Sequence, residues 1–102
     1  MGKTLKKYLL FDLDTTALKE EFGPKRYTVA YSMIRQFLEN CGFEHKQGSG
    51  YLSTEPISLN QTIAIYQAMT EEMPWLDSCS KTMDVGNVRG FYNLKTLSQN
   101  LV

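Results

Sequence analysis

The sequence lacks most of the features that mark a specialised protein. Its two cysteines, Cys41 and Cys79, have no C-x-x-C spacing, and its one histidine, His45, has no metal-ligand partner at a recognisable interval. Zinc is therefore not expected, and the cysteines read as small packing residues in a reducing compartment. No apolar run is long enough for the core of a signal peptide or for a membrane span, so the expected location is the cytoplasm, with no membrane partner. "MGKTLK" places Lys6 where a myristoylation signal needs Ser or Thr, and "GKT" lacks the upstream glycine of a P-loop. Net charge is missing too, since eleven Lys and Arg balance eleven Asp and Glu. A protein held on nucleic acid by counterion release is usually more basic, which argues against tight non-specific DNA binding. Contact with a short RNA stays open through Lys3, Lys6 and Lys7, which otherwise read as a solvated N-terminal tail.

What is present is an ordinary globule. The 102 residues are 42% hydrophobic and 22% charged, enough for one domain with a modest core. No repeats, low-complexity tracts or linkers break it, and residues 1–4 and 96–102 read as tails. Residues 5–13 alternate like a half-buried strand, with Leu9, Phe11 and Leu13 on one side and Tyr8, Leu10 and Asp12 on the other. Pro24 suits the first turn of a helix, and Tyr27, Ala30, Tyr31, Ile34, Phe37, Leu38 and Cys41 follow at helical spacing up to a stop at Gly42. Those tyrosines read as core, with a base-stacking platform as the alternative. "FEHKQGSGYLST" reads as a hairpin. Ser58 and Gln61 form a capping box for a second helix with Leu59, Ile63, Tyr66, Met69 and Met73 as its stripe; Pro74 ends it, and Trp75 and Leu76 pin its end to the core. "KTMDVGNVRGFYNL" suggests a strand over 81–85, a Gly-Asn turn and a further extended piece through Phe91 and Tyr92.

The order β-α-β-β-α-β predicts an α+β, ferredoxin-like domain with a short additional C-terminal strand and helices on one face of an antiparallel sheet. Tyr8, Leu10 and Asp12 then point away from the helices. A face carrying Leu and Tyr is costly to leave in water, and a symmetric partner is the common remedy, so a homodimer over or beside the sheet is expected.

Asp12-Leu13-Asp14-Thr15-Thr16 fits the D-x-D-x-T signature of haloacid dehalogenase phosphatases. Those enzymes need a parallel sheet and a late acidic pair, and a central hairpin with a solitary Asp84 supplies neither. The whole pattern instead resembles the virulence-associated protein D (VapD) family of small endoribonucleases, relatives of ferredoxin-fold CRISPR-associated nucleases. The resemblance spans about residues 8–94. It rests on "FDLDT" closing the first strand, "FGPKRYTVAY" before the first helix, "GFEHKQGSGYL" over the hairpin and "PWL" after the second helix. It loosens after Asp84, where the family's Arg is absent and Arg89 is the candidate replacement. Gly50 stands where a larger residue is common, which suggests a looser strand.

The resemblance implies a homodimeric ribonuclease acting on single-stranded RNA, as a toxin with an antitoxin protein or as a regulator of messenger stability. It singles out Asp12 as catalytic. In one route Asp12 takes the proton of a ribose 2′-hydroxyl; in the other, Asp12 of each subunit shares a magnesium ion. Ser49 and Tyr51, alternating onto one face of the hairpin strand, are candidate donors to the phosphate. His45, the residue type whose ordinary pKa lies near neutrality, is a candidate acid. Gln47, His45 and Arg89 are the candidate substrate-binding residues. Asp14 and Thr15 read as turn residues. A non-catalytic ferredoxin-like dimer that binds RNA or protein is the alternative.

Overall fold

The structure, a computed structural model, describes residues 4–89 and Leu94. Its elements are β1 (Lys6–Leu13), α1 (Thr15–Phe22), α2 (Val29–Asn40), β2 (Phe43–Gln47), β3 (Gly50–Ser53), α3 (Leu59–Glu72), α4 (Leu76–Cys79) and β4 (Ser80–Val88). The four strands form a sheet in the order β2-β3-β1-β4, and every neighbouring pair is antiparallel. This is the expected ferredoxin-like α+β arrangement, and an antiparallel sheet rules out the phosphatase architecture.

Period-two alternation fixes which side of β1 meets the helices. Leu9, Phe11 and Leu13 are buried, while Leu10 is 52% exposed and Asp12 is exposed. The buried side joins Leu18 of α1, Ala30, Ile34 and Leu38 of α2, and Met69 and Met73 in one core. Each fully buried side chain of this kind contributes about 1.5–3 kcal/mol. Helix ends follow local chemistry. The Ser58 hydroxyl accepts from the Gln61 N–H at 3.0 Å, and the Gln61 side chain accepts from the Ser58 N–H at 2.8 Å. Such caps are worth about 0.5–2 kcal/mol. Gly42, at φ +87°, closes α2 in the left-handed region. Beyond Pro74, Leu76 is fully buried and Trp75 meets Phe22 edge-on at 5.0 Å between ring centres.

Several expectations need correction. Asp14 does not lead into a plain turn: its carboxylate accepts from the Ala17 N–H at 3.2 Å and caps α1, an unexpected helix that buries Leu18. Pro24 consequently lies in the turn after α1, and α2 begins only at Val29. Gly86-Asn87 form no turn, because β1 offers partners all along: Gly86 faces Tyr8, Asn87 faces Lys7, and β4 runs through to Val88. The extended piece at Phe91 and Tyr92, with the additional strand it would make, lies outside the described residues.

The inward side of α3 carries Thr62, Met69 and Met73, and leaves Leu59 and Ile63 exposed. Thr62 can be buried because its hydroxyl donates to the Ser58 carbonyl at 2.9 Å, so the stripe is displaced by one residue from Ile63. Lys6 and Lys7 are no tail: both lie in β1 on opposite faces, and Lys7 is buried with its ammonium on the Leu5 carbonyl at 3.1 Å. Gly50 does not loosen its strand. It is buried beneath the Tyr8 phenol ring, into which a Cβ at this position would run. Among the described residues no helix is long and apolar enough to cross a membrane.

Candidate active site

Strand register sorts the candidate residues onto two faces. Directly opposed residues share a face, so β1 Leu10 lies with Gly50 and Asp84, and Asp12 lies with Thr82. Asp12 and Asp84 are therefore diagonal neighbours on the face away from the helices, about 7–8 Å apart by strand geometry. Both are exposed. Leu52 of β3 and Glu44 of β2, which oppose Tyr8 and each other, complete this face.

Two bulges flank its Asp12 end. One lies in β4, where Asp12 pairs with Thr82 but Leu13 pairs with Ser80, leaving Lys81 extra. The second is in β2, where His45 pairs with Tyr51 and Gln47 with Gly50, leaving Lys46 extra. A bulge re-aims the side chains around it and is frequent beside active sites. This one brings Gln47 level with Gly50, and so onto the side of Asp12. Lys46 is tied to Glu44 at 3.4 Å.

Tyr51 and His45 belong to the opposite face. Tyr51 opposes Leu9, is only 3% exposed and stacks on Phe11 with ring centres 5.8 Å apart. Burial raises its phenol above the ordinary range, with the Arg35 charge pulling down and Glu39 pushing up. The phenol thus stays protonated near neutrality. His45 lies 4.9 Å from the Tyr51 ring, and its Nε2 is 2.7 Å from the Gly48 carbonyl. A carbonyl only accepts, so Nε2 carries a proton. Alternation from Asp12 therefore does not unite it with Tyr51 and His45, because the sheet separates them.

Ser49 sits in the turn between the two faces, where its carbonyl accepts from the Phe11 N–H at 3.3 Å. Arg89 is remote. It follows Val88, which opposes Lys6, and six strand residues put that end about 20 Å from Asp12. Asp12 and Asp84 thus share one end of the far face on adjacent strands; Gln47 lies on the same side but two strands from Asp12, beyond β3, Ser49 sits in the hairpin turn, and Tyr51, His45 and Arg89 lie elsewhere in the chain. Asp84 as a companion of Asp12 was missed; its signal lay in the register, which sets Asp84 opposite Leu10.

The class this defines is a ferredoxin-like α+β domain with paired carboxylates on the exposed face of its sheet. No family model matches the chain. It is 30% identical over 73 residues to Endoribonuclease VapD 2 of Riemerella anatipestifer, covering 72% of this chain and 78% of that one. Against the Endoribonuclease VapD homolog of Helicobacter pylori it is 37% identical, over 70% of this chain and 73% of the relative. Against Endoribonuclease VapD of Dichelobacter nodosus it is 33% identical, over 81% of each. The chain belongs to the VapD endoribonuclease family.

Proposed function

We propose that this protein is an endoribonuclease that cuts single-stranded RNA as a homodimer, with Asp12 as its catalytic carboxylate. The observation that carries the reading is Asp12 itself, exposed beside Asp84 on the far face of the sheet, in a chain 30–37% identical to relatives named endoribonucleases. The dimer is supported by the apolar exposure of Leu10 on that face. A toxin-like or message-regulating role, an antitoxin partner and a cytoplasmic location belong to the same reading.

Two carboxylates on one face repel a phosphodiester, and this favours the magnesium route. Magnesium needs few protein ligands, often one or two carboxylates with water and substrate phosphate filling the rest. Among the described residues no group of three or more His, Cys, Asp or Glu gathers, but Asp12 and Asp84 meet that smaller requirement and would hold the ion. When bound, magnesium supplies charge neutralisation and an activated water, and this route leaves a 5′-phosphate. The chain's own part is to orient the strand, with the Gln47 amide and the Ser49 hydroxyl as donors to phosphate oxygens. In the metal-free route the Asp12 carboxylate takes the 2′-hydroxyl proton, the 2′-oxygen bonds to phosphorus, and the 5′-oxygen leaves with a proton from solvent. That route ends in a 2′,3′-cyclic phosphate.

The test is cleavage of single-stranded RNA by the purified protein with magnesium and with EDTA, beside Asp12→Asn, with the product ends identified. Cleavage that survives Asp12→Asn overturns the assignment. Binding without any cleavage would support the non-catalytic alternative, and a monomer at micromolar concentration would remove the dimer.

A further inference from the structure

A polar concavity opens on the helix side of the hairpin end. It encloses about 180 Å3 and is lined by Tyr31, Ser32 and Arg35 from α2, by His45 and Tyr51 from the hairpin, and by Phe11. One water occupies about 30 Å3, so a planar ring has room here. We propose that this cleft holds one nucleotide of the RNA strand, with its base against His45 and Tyr31 and its phosphate on Arg35. The proposal rests on the reading of the protein as an RNA-cleaving enzyme.

Three observations carry it. Asp84 stands diagonal to Asp12 at that end of the far face, and Lys6 lies six strand residues away along β1, so the strand's phosphates gain from a cation elsewhere. Arg35 is that cation. Its Nε lies 3.3 Å from Glu39 Oε1 in an exposed ion pair, which leaves both terminal nitrogens for the fork geometry that suits phosphate. Its charge acts on the Tyr51 phenol in the cleft.

The second observation is orientation. The Nε2–H of His45 is held by the Gly48 carbonyl at 2.7 Å, and the ring leans on Tyr51 at 43°. The imidazole is therefore positioned before any ligand arrives. Stacking on such rings tolerates any base, while a single guanidinium on phosphate carries no sequence information. The ligand class is thus a nucleotide unit of single-stranded RNA, held without strong base preference.

The third is continuity. The Phe11 N–H bonds to the Ser49 carbonyl at 3.3 Å, which seats the Gly48-Ser49 turn against β1 one residue from Asp12. A strand gripped in the cleft and crossing this turn arrives at Asp12 on the other face. His45 and Tyr51 are then positioning residues, remote from the reacting phosphate.

The experiment uses the full chain and a fluorescein-labelled single-stranded RNA with 2′-O-methyl sugars, which resists the 2′-hydroxyl route, in EDTA. Fluorescence anisotropy should show Arg35→Gln binding about tenfold more weakly than wild type, with a log–log salt slope smaller by about 0.7. The chain has one histidine, so the His45 ring signals in a proton NMR spectrum form a clean reporter and should move on RNA addition. With cleavable RNA, Arg35→Gln should raise KM while kcat holds. Arg35 is 54% exposed in its side chain, and its substitution leaves the core intact. Equal binding by Arg35→Gln with unmoved His45 signals overturns the cleft even if cleavage depends on Asp12. Arg35-dependent binding with no cleavage by wild type upholds the cleft and overturns the enzyme reading.

Discussion

Leu9 and Leu10 are the same residue type one position apart, and they mark two different surfaces. Leu9 is 6% exposed in a core built with four helices, whereas Leu10 is 52% exposed on the face bearing Asp12 and Asp84. The helix side is specified by packing: it buries Phe11 and Tyr51 and keeps a small polar cleft at its hairpin margin. The far side is specified by what it leaves uncovered. The lesson is that proximity in sequence or in the hairpin is a poor guide to a shared site here, because the sheet stands between alternate residues.

The comparison can be broken most severely at Asp12. Asp12→Asn should lower RNA cleavage by at least about 100-fold, the usual range for a lost acid–base group, without lowering the melting temperature. Tyr51→Phe, on the other face, should change kcat by no more than a few-fold in the same assay. If the two variants fall equally, both faces feed one reacting centre.

Next comes the leucine pair. Leu9→Ala should cost about 2–5 kcal/mol in urea unfolding through lost burial and the cavity left behind. Leu10→Ala should cost less than about 0.5 kcal/mol in the monomer, and any larger loss should depend on protein concentration, as a dimer interface requires. Gly50→Ala should cost about 1 kcal/mol, between the two leucine variants, by displacing the Tyr8 ring above it. A changed tyrosine fluorescence with the core retained would register that displacement.

The smallest effect is alkaline. The Tyr51 phenol is raised in the fold by burial, from an ordinary value of 10.0. Its contribution to stability is therefore complete below pH 10 and is lost as pH rises through the higher folded value. Tyr51→Phe should flatten the alkaline fall in urea midpoint, and a profile that remains unchanged would show that burial at Tyr51 is irrelevant to it.

Local chemistry was readable from sequence wherever one residue decides the outcome. The alternation of β1, the Ser58–Gln61 box, the glycine at 42 and the proline at 74 all act through their own backbone geometry. What escaped was non-local. Helix α1 is eight residues long and exists because Asp14 caps it and Leu18 finds the core, which no short periodicity reveals. Gly86-Asn87 carries turn chemistry, yet the ladder with β1 holds it extended. The site was half legible for the same reason. Asp12 followed from strand alternation, but its companions depend on pairing register, and a residue inserted at Lys46 alters that register.

The Lys46 bulge acts on parity. Without an extra residue, Gln47 would follow the alternation of His45 and turn toward the helices; with it, Gln47 is level with Gly50 on the carboxylate side, and Lys46 meets Glu44 there. The number of residues in β2, more than their identity, decides how many polar groups the hairpin presents on the carboxylate side. A one-residue deletion in that hairpin would rewrite the electrostatics of the carboxylate face while leaving every helix where it stands.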